Sequence, residues 1–183
     1  FPELRKRGMV GTFFVVPGYD HATRYVNPDS QRWSDRKQPG YTIEFKSMTS
    51  EHRRALAQDG MEIGGHTMTH RNLTRVSPSE HHRELVESRL QLESELGASV
   101  DTFCYPFGGA DRAIMKRVEE AGYVGAAGTF PGYEGPAPKN RFRCKRFLIQ
   151  NPHYFREVLR GRAFSPAAFV RSARVFGRWR FFQ

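Results

Sequence analysis

The fold is decided by residues 60–73, which read GMEIGGHTMTHRNL. Met61-Glu62-Ile63-Gly64 is a short run that predicts a β-strand, and it leads directly to His66 and His70. In α/β proteins, ligand-binding side chains gather at the carboxyl ends of the parallel strands. The stretch therefore predicts two imidazoles at such an edge.

Apolar runs and amphipathic helical patterns alternate on both sides of this stretch. The alternation predicts βαβ units around a parallel sheet, and it leaves open whether that sheet closes into a barrel. Polar or Pro- and Gly-rich composition predicts loops at residues 19–41 and 128–140. Strands are predicted at 11–16, 61–64, 100–105, 123–127 and 146–149, and helices at 1–7, 49–58, 77–96, 111–121 and after 149.

Composition limits the class of protein. A chain of 183 residues is long enough for one domain, and 38% hydrophobic residues exclude a disordered chain. No run approaches the ~20 apolar residues of a membrane-spanning helix. The net charge of +10 favours a polyanionic partner, or it reflects a solvated basic surface. Cys104 and Cys144 lack metal-binding spacing and predict buried free thiols.

His66 and His70 are the candidate metal ligands. On a helical turn their four-residue spacing would put both rings on one face, close enough to share a metal ion. Gly64 and Gly65 are expected to turn the backbone sharply after the strand. The alternative is a pair of surface histidines in a polar loop. A zinc site also needs a third ligand, and Asp20 is the nearest candidate carboxylate.

Two further strand ends carry candidate residues. A backbone N–H of the segment 104–108 would stabilise an oxyanion, and the rings of Tyr105 and Phe107 would wall an acetyl or sugar site. The alternative is a strand-to-turn break with both rings in the core. His153 follows the last predicted strand, where it would protonate a leaving amine or be structural.

These segments together resemble the polysaccharide deacetylase family, also called the NodB-homology domain or carbohydrate esterase family 4. The resemblance covers roughly residues 1–150. It implies a distorted (β/α) barrel, Zn²⁺ or another divalent metal held by His66, His70 and an aspartate, and hydrolysis of N-acetyl groups. The implied substrate is an N-acetylated amino-sugar polysaccharide: poly-N-acetylglucosamine, chitin or a peptidoglycan-like polymer. The matching segments are Thr12–Val15, 60–73, 84–97, 103–108 and 120–123.

The chain departs from the family pattern in three ways. No Thr-Phe-Asp-Asp-type segment, which carries the family's metal-binding aspartate and general base, is present. The resemblance therefore implies a chain that lacks the first strand, binds zinc weakly and has negligible activity. Cys104 replaces an arginine, as in the branch acting on poly-N-acetylglucosamine-like polymers. No late Leu-x-His motif is evident, so His153 is a stand-in for the catalytic acid, and the Phe107 amide would hold the oxyanion.

The expected organisation is a partial deacetylase domain over residues 1–160 and a basic aromatic helix or tail over 161–183. Phe169, Ala173 and Phe176 follow helical spacing among arginines. This pattern favours a membrane surface or an acidic polymer as partner, or a terminal helix packed on the barrel. No specific nucleic-acid partner is predicted. The resemblance implies a cell-envelope or secreted location, and a non-catalytic glycan-binding member is the alternative function.

Overall fold

The computed structural model describes residues 2–20, 22, 24–26, 42–44, 46–134, 138, 140–149 and 151–163, with the backbone alone for 24–26 and 42–44. Helices and strands alternate along most of this length, as the sequence predicts. In chain order they are α1 (Pro2–Lys6), β1 (Thr12–Val15), β2 (Arg24–Val26), β3 (Thr42–Glu44), α2 (Ser50–Gln58), β4 (Glu62–Gly65), α3 (Ser88–Leu96), β5 (Thr102–Cys104), α4 (Arg112–Glu120), β6 (Gly125–Ala127) and α5 (Pro152–Leu159).

The centre of the described fold is a parallel sheet in the order β1-β4-β5-β6. Val15 lies opposite Gly65, Gly65 opposite Phe103, and Cys104 opposite Ala127. Because all four strands are parallel, their carboxyl ends meet at one edge. The α/β prediction is confirmed, and this edge carries the candidate site.

The helices begin at polar caps that the sequence supplies. Thr49 and His52 form a capping box at the start of α2, and the Asp111 side chain accepts the Ile114 N–H at 2.8 Å before α4. A single turn of π-helix, His82–Glu87, leads into α3, which ends at Gly97 with φ 65°. The sequence predicts this helix but not its π turn.

The core lies between the sheet and the helices. Phe103 is fully buried in β5, and its ring centroid is 5.3 Å from that of Tyr105 and 5.0 Å from that of Tyr123. Helices α2 and α3 pack on β4. Burial of these apolar side chains is the main stabilising contribution. In the part of the chain that the structure describes, the core residues with no exposed surface are Leu92, Val100, Phe103 and Val118.

One polar cluster is built into this interior. The Arg53 guanidinium, with only 1% of its side chain exposed, lies between the carboxylates of Asp20 and Glu95. It donates to both Asp20 oxygens at 2.6 and 2.8 Å, to Glu95 Oε2 at 2.7 and 2.9 Å, and to Met48 O at 3.0 Å. This triad ties the loop after β1 to α2 and α3.

The structure corrects two predictions. Residues 24–26, expected to lie in a loop, pair antiparallel with residues 42–44. The strand predicted at 146–149 is wrong, because these residues form no strand, and within the described ranges sheet pairing beyond β6 is limited to an isolated bridge between Ala127 and Cys144. After Cys144 the chain leaves the sheet, and the Arg146 N–H donates to Phe130 O instead.

Three sequence predictions, about membrane spans, the basic tail and the free thiols, have different outcomes. Within the described residues, every helix is too short or too polar to cross a membrane. The basic aromatic pattern of residues 166–183 lies outside the described residues. Of the two free thiols, Cys104 is buried as predicted, whereas Cys144 is half-buried.

Candidate metal and catalytic site

The two predicted metal ligands lie side by side directly after β4. The His66 N–H donates to Val15 O at 3.1 Å, which continues the β1–β4 ladder by one residue. The ring centroids of His66 and His70 are 4.8 Å apart, with an edge-on angle of 64°. The predicted helical turn is wrong, because Thr67 and His70 adopt left-handed backbone conformations with φ 64° and 58°. An irregular loop, and not a helix face, brings the rings together.

The two glycines before the histidines have a different role from the predicted one. Gly64 and Gly65 belong to β4 and do not turn the chain. A Cβ on Gly64 would collide with the Phe14 ring, and one on Gly65 would collide with the Tyr123 hydroxyl. Their small size therefore permits close packing across the strand. The turn itself is made by the left-handed residues that follow.

His66 is held in one tautomer. Its Nδ1 lies 2.6 Å from Cys104 O, and because a carbonyl only accepts, Nδ1 carries the proton. Burial lowers the pKa of His66 from 6.5 to about 4, helped by the electrostatic effects of His70 and Arg146 and opposed by the Cys104 hydrogen bond. The ring is therefore neutral at pH 7, with a lone pair on Nε2. A backbone carbonyl that fixes the far nitrogen is the usual support for a metal-binding histidine.

This pKa predicts an acid-sensitive stability of the metal-free protein. Between about pH 4 and pH 6.5 the unfolded chain binds a proton at His66 that the folded state excludes. The free energy of unfolding is therefore highest above pH 6.5 and falls by up to roughly 3 kcal/mol as the pH drops to 4. Urea unfolding in chelator, compared with His66→Asn, measures it. Asparagine preserves a donor for Cys104 O but does not titrate, so identical pH profiles would contradict the prediction.

The segment after β5 places its two aromatic residues differently. The Tyr105 ring is 1% exposed and its hydroxyl donates to Phe142 O at 2.9 Å, which favours the core alternative over a place in the wall of the site. Burial raises the pKa of this phenol. Phe107 is 48% exposed, and its ring centroid is 4.9 Å from that of His70. The two rings diverge because Phe107 lies beyond the end of β5 in a turn with a left-handed backbone, so the shared face of residues two apart in a strand does not apply to this pair.

Phe107 also has an unusual backbone. Its φ is 59°. In the described chain, the non-glycine residues with positive φ are Phe107, Thr67 and His70. Such conformations persist where the surroundings enforce them, and they cluster at functional sites. The role of the Phe107 N–H as an oxyanion donor stays a prediction.

Arg146 is a site residue that the sequence analysis missed. Its Nη2 lies 3.1 Å from Cys104 Sγ, and its Nε donates to Gly128 O at 2.6 Å. Burial raises the pKa of the Cys104 thiol, and the Arg146 charge opposes this. No local motif marks Arg146, because it reaches the site from 42 residues further along the chain.

Among the described residues, the other two candidates, Asp20 and His153, do not complete a three-ligand group with the histidine pair. The Asp20 carboxylate binds Arg53, so its weighed role as third ligand is not supported. His153 lies in the first turn of α5, and its Nε2 is buried without a partner among the described atoms. Over the described ranges, no group of three or more His, Cys, Asp or Glu side chains could hold a metal ion. The donor set present is a pair of imidazoles, whose chemistry fits a divalent transition metal.

Comparison with known proteins identifies the family. The family model described as polysaccharide deacetylase matches residues 1–126. The chain belongs to the polysaccharide deacetylase family. YxkH of Bacillus subtilis (strain 168), which carries a provisional polysaccharide deacetylase name, is 25% identical over 133 residues. The match covers 72% of this chain and 39% of YxkH, so the chain spans about two fifths of that relative.

Solved structures share the fold. The Streptococcus pyogenes deacetylase PplD, solved in complex with acetate, has a TM-score of 0.67 at 19% identity over 87% of this chain and 61% of PplD. IcaB from Ammonifex degensii has a TM-score of 0.63 at 17% identity over 88% of this chain and 65% of IcaB. The predicted family and its α/β fold are thus confirmed.

Proposed function

We propose that this polysaccharide deacetylase homologue uses a divalent metal to hydrolyse N-acetyl groups of an amino-sugar polysaccharide. The observation that carries the proposal is the His66–His70 pair at the carboxyl edge of the sheet, with the His66 Nδ1–H fixed by Cys104 O. The candidate polymers are poly-N-acetylglucosamine, chitin and peptidoglycan-like chains. The complex of PplD with acetate is in keeping with this chemistry, because acetate is the acid that deacetylation releases.

Each residue of the site has a proposed part in the reaction. His66 and His70 would hold Zn²⁺ or another divalent ion through ring nitrogens. When bound, such an ion lowers the pKa of water and polarises an acyl carbonyl. The Phe107 N–H would donate to the oxyanion that forms at the carbonyl carbon. His153, whose Nε2 has no partner in the described part of the chain, would protonate the leaving amine.

We propose that residues 1–183 by themselves have limited zinc affinity and activity. A catalytic zinc site uses three protein ligands and an open position. Because the described residues bring two imidazoles together, we expect residues 1–183 to bind zinc weakly and to release little acetate.

Acetate release from N-acetylglucosamine oligomers tests the function. It would be measured for residues 1–183 and for the complete product of the reading frame that encodes them, each with Zn²⁺ and with chelator. We expect metal-dependent release by the complete product, loss of release in its His66→Ala, His70→Ala double variant, and negligible release by residues 1–183. Rapid release by residues 1–183 would contradict the limit stated above.

The alternative is a glycan-binding member without activity. It predicts saturable binding of the oligomers, measured by calorimetry, together with no acetate release from either protein in any metal. Binding that persists in the double histidine variant would favour this alternative, because the metal site would then be dispensable.

A second partner remains a proposal based on composition. The basic aromatic segment 161–183 is expected to bind an acidic polymer or an anionic membrane surface. Sedimentation with anionic liposomes, with and without residues 166–183, tests it. Equal sedimentation of the two proteins would dismiss the membrane surface.

A further inference from the structure

We propose that Glu84 is a positioning residue that fixes the two histidines relative to each other and so sets the affinity for metal. The part of this inference that concerns metal affinity rests on the proposed function. The part that concerns the geometry of the histidine loop can be tested in the metal-free chain. Glu84 lies in the π turn before α3, 14 or more residues beyond the histidine pair in sequence. Single π turns occur frequently at functional sites.

The two residues between Thr67 and His70 are bonded on every backbone polar group. The Met68 N–H donates to Glu84 O at 3.1 Å, and Met68 O accepts from the Gly18 N–H at 3.0 Å. The Thr69 N–H donates to Glu84 Oε2 at 2.9 Å, and Thr69 O accepts from the Tyr19 hydroxyl at 2.8 Å. The loop after β1 and the π turn therefore clamp the histidine loop from two sides.

Glu84 supplies the larger share of this clamp. Besides the two backbone contacts, its Oε1 accepts from the Thr69 hydroxyl at 2.6 Å. The residue is 3% exposed, and a carboxylate is buried at this depth only where hydrogen bonds compensate for lost water. Two of its three bonds to the loop are charge-assisted, which makes them shorter and stronger than neutral ones.

The clamped residues are flanked by the two strained ones. Thr67 and His70 have positive φ, a conformation that non-glycine residues leave when nothing enforces it. If the bonds to Glu84 were removed, relaxation of His70 to negative φ would swing its Cβ and separate its ring from that of His66. The geometry thus assigns Glu84 a function through the histidines, without contact with metal or substrate.

Three variants of the 183-residue chain test this assignment. Glu84→Ala removes the carboxylate. Glu84→Gln is the conservative rescue, because its carbonyl can accept the Thr69 N–H while its amide donates to the rotatable Thr69 hydroxyl. Glu93→Ala is the matched control: Glu93 is a carboxylate of α3 that accepts the Val100 N–H at 3.0 Å, before the opposite end of β5.

The first measurement uses NMR of the metal-free proteins. For Glu84→Ala we expect amide exchange at Thr69 to accelerate at least tenfold beyond the global change, and the cross-peak between the two histidine rings to weaken. Glu84→Gln and Glu93→Ala should retain both signals. Unchanged exchange and an unchanged cross-peak in folded Glu84→Ala would overturn the proposal.

The second measurement is the Kd for Zn²⁺ from NMR titration. We expect Glu84→Ala to weaken binding by about 10–100-fold, as loss of an outer-shell partner does, with Glu84→Gln and Glu93→Ala within about threefold of wild type. An equal Kd in Glu84→Ala and wild type would overturn the assignment. If wild type binds no better than its double histidine variant, the proposed function fails, and the metal-free spectra still decide the role of Glu84.

If Glu84→Ala does not fold, Thr69→Val takes its place. Valine keeps the β-branched shape and the backbone N–H but removes the hydroxyl that donates to Oε1. We expect faster amide exchange at position 69 and a several-fold weaker Kd. Exchange and Kd equal to those of wild type would overturn the proposal.

Discussion

Replacing Arg53 by methionine is expected to lower the free energy of unfolding by about 3–5 kcal/mol. The guanidinium is almost wholly buried and makes five hydrogen bonds, four of them to Asp20 and Glu95. Methionine has a similar apolar stem but leaves two neighbouring carboxylates and Met48 O without their donor. The cost is therefore that of uncompensated buried charge, and not that of a cavity. Urea unfolding at pH 7 measures it.

The charges can be separated from the packing by a second set of variants. A triple variant adds Asp20→Asn and Glu95→Gln to Arg53→Met. It removes the two unpaired carboxylate charges and should recover part of the lost free energy of unfolding. Arg53→Lys should recover little, because an ammonium has three donors and cannot replace the five guanidinium contacts to Asp20, Glu95 and Met48 O. Lys116→Ala, which breaks an exposed helix pair with Glu120, is the surface control and should cost less than about 0.5 kcal/mol. An equal cost for Arg53→Met and Lys116→Ala would contradict the account.

The sequence predicts the scaffold well because the scaffold follows local rules. Apolar runs such as Thr12–Val15, helix caps such as Asp111 and stops such as Gly97 act within a few residues. The prediction of a strand at 146–149 is wrong because an apolar run does not itself reveal whether a neighbouring strand has an unpaired edge to bind. In this case pairing stops at Cys144, before the run begins.

At the site, residue types were predictable and conformation was not. The histidine spacing correctly placed two rings together, but through left-handed Thr67 and His70, conformations that no propensity favours. For Tyr105 and Phe107, the sequence left the core and the site as alternatives. The structure divides the pair, since Tyr105 packs in the core and Phe107 contacts His70.

The residues that support the site were invisible in the sequence for a different reason. Glu84 contacts a loop 15 residues away, and Arg146 contacts Cys104 from a distance of 42 residues. Neither residue belongs to a sequence motif. Glu84 bonds a backbone N–H and Arg146 a sulfur atom, and neither partner lies at a fixed sequence spacing. Tertiary packing alone brings them to the strand ends.

Removing either imidazole is expected to weaken Zn²⁺ binding at least about 100-fold, more than the 10–100-fold typical for loss of an outer partner. His66→Ala and His70→Ala differ in what else they remove. His66→Ala leaves the buried carbonyl oxygen of Cys104 without a hydrogen-bond donor, which should also lower the free energy of unfolding by roughly 1–3 kcal/mol. His66→Asn restores a donor to that carbonyl and should recover stability without recovering zinc binding. Calorimetric titration and urea unfolding measure the two effects separately.

For His70, the effects on zinc binding and on stability can be separated through its backbone conformation. Because its φ is 58°, glycine should relieve strain that alanine retains, so His70→Gly is expected to be about 1 kcal/mol more stable than His70→Ala. Both variants should lose zinc to the same extent, since neither has an imidazole. If His70→Gly and His70→Ala were equally stable, the left-handed backbone at this position would be in doubt. If either bound zinc as wild type does, His70 would not be a ligand, and the metal site would have to be sought elsewhere along the carboxyl edge of the sheet.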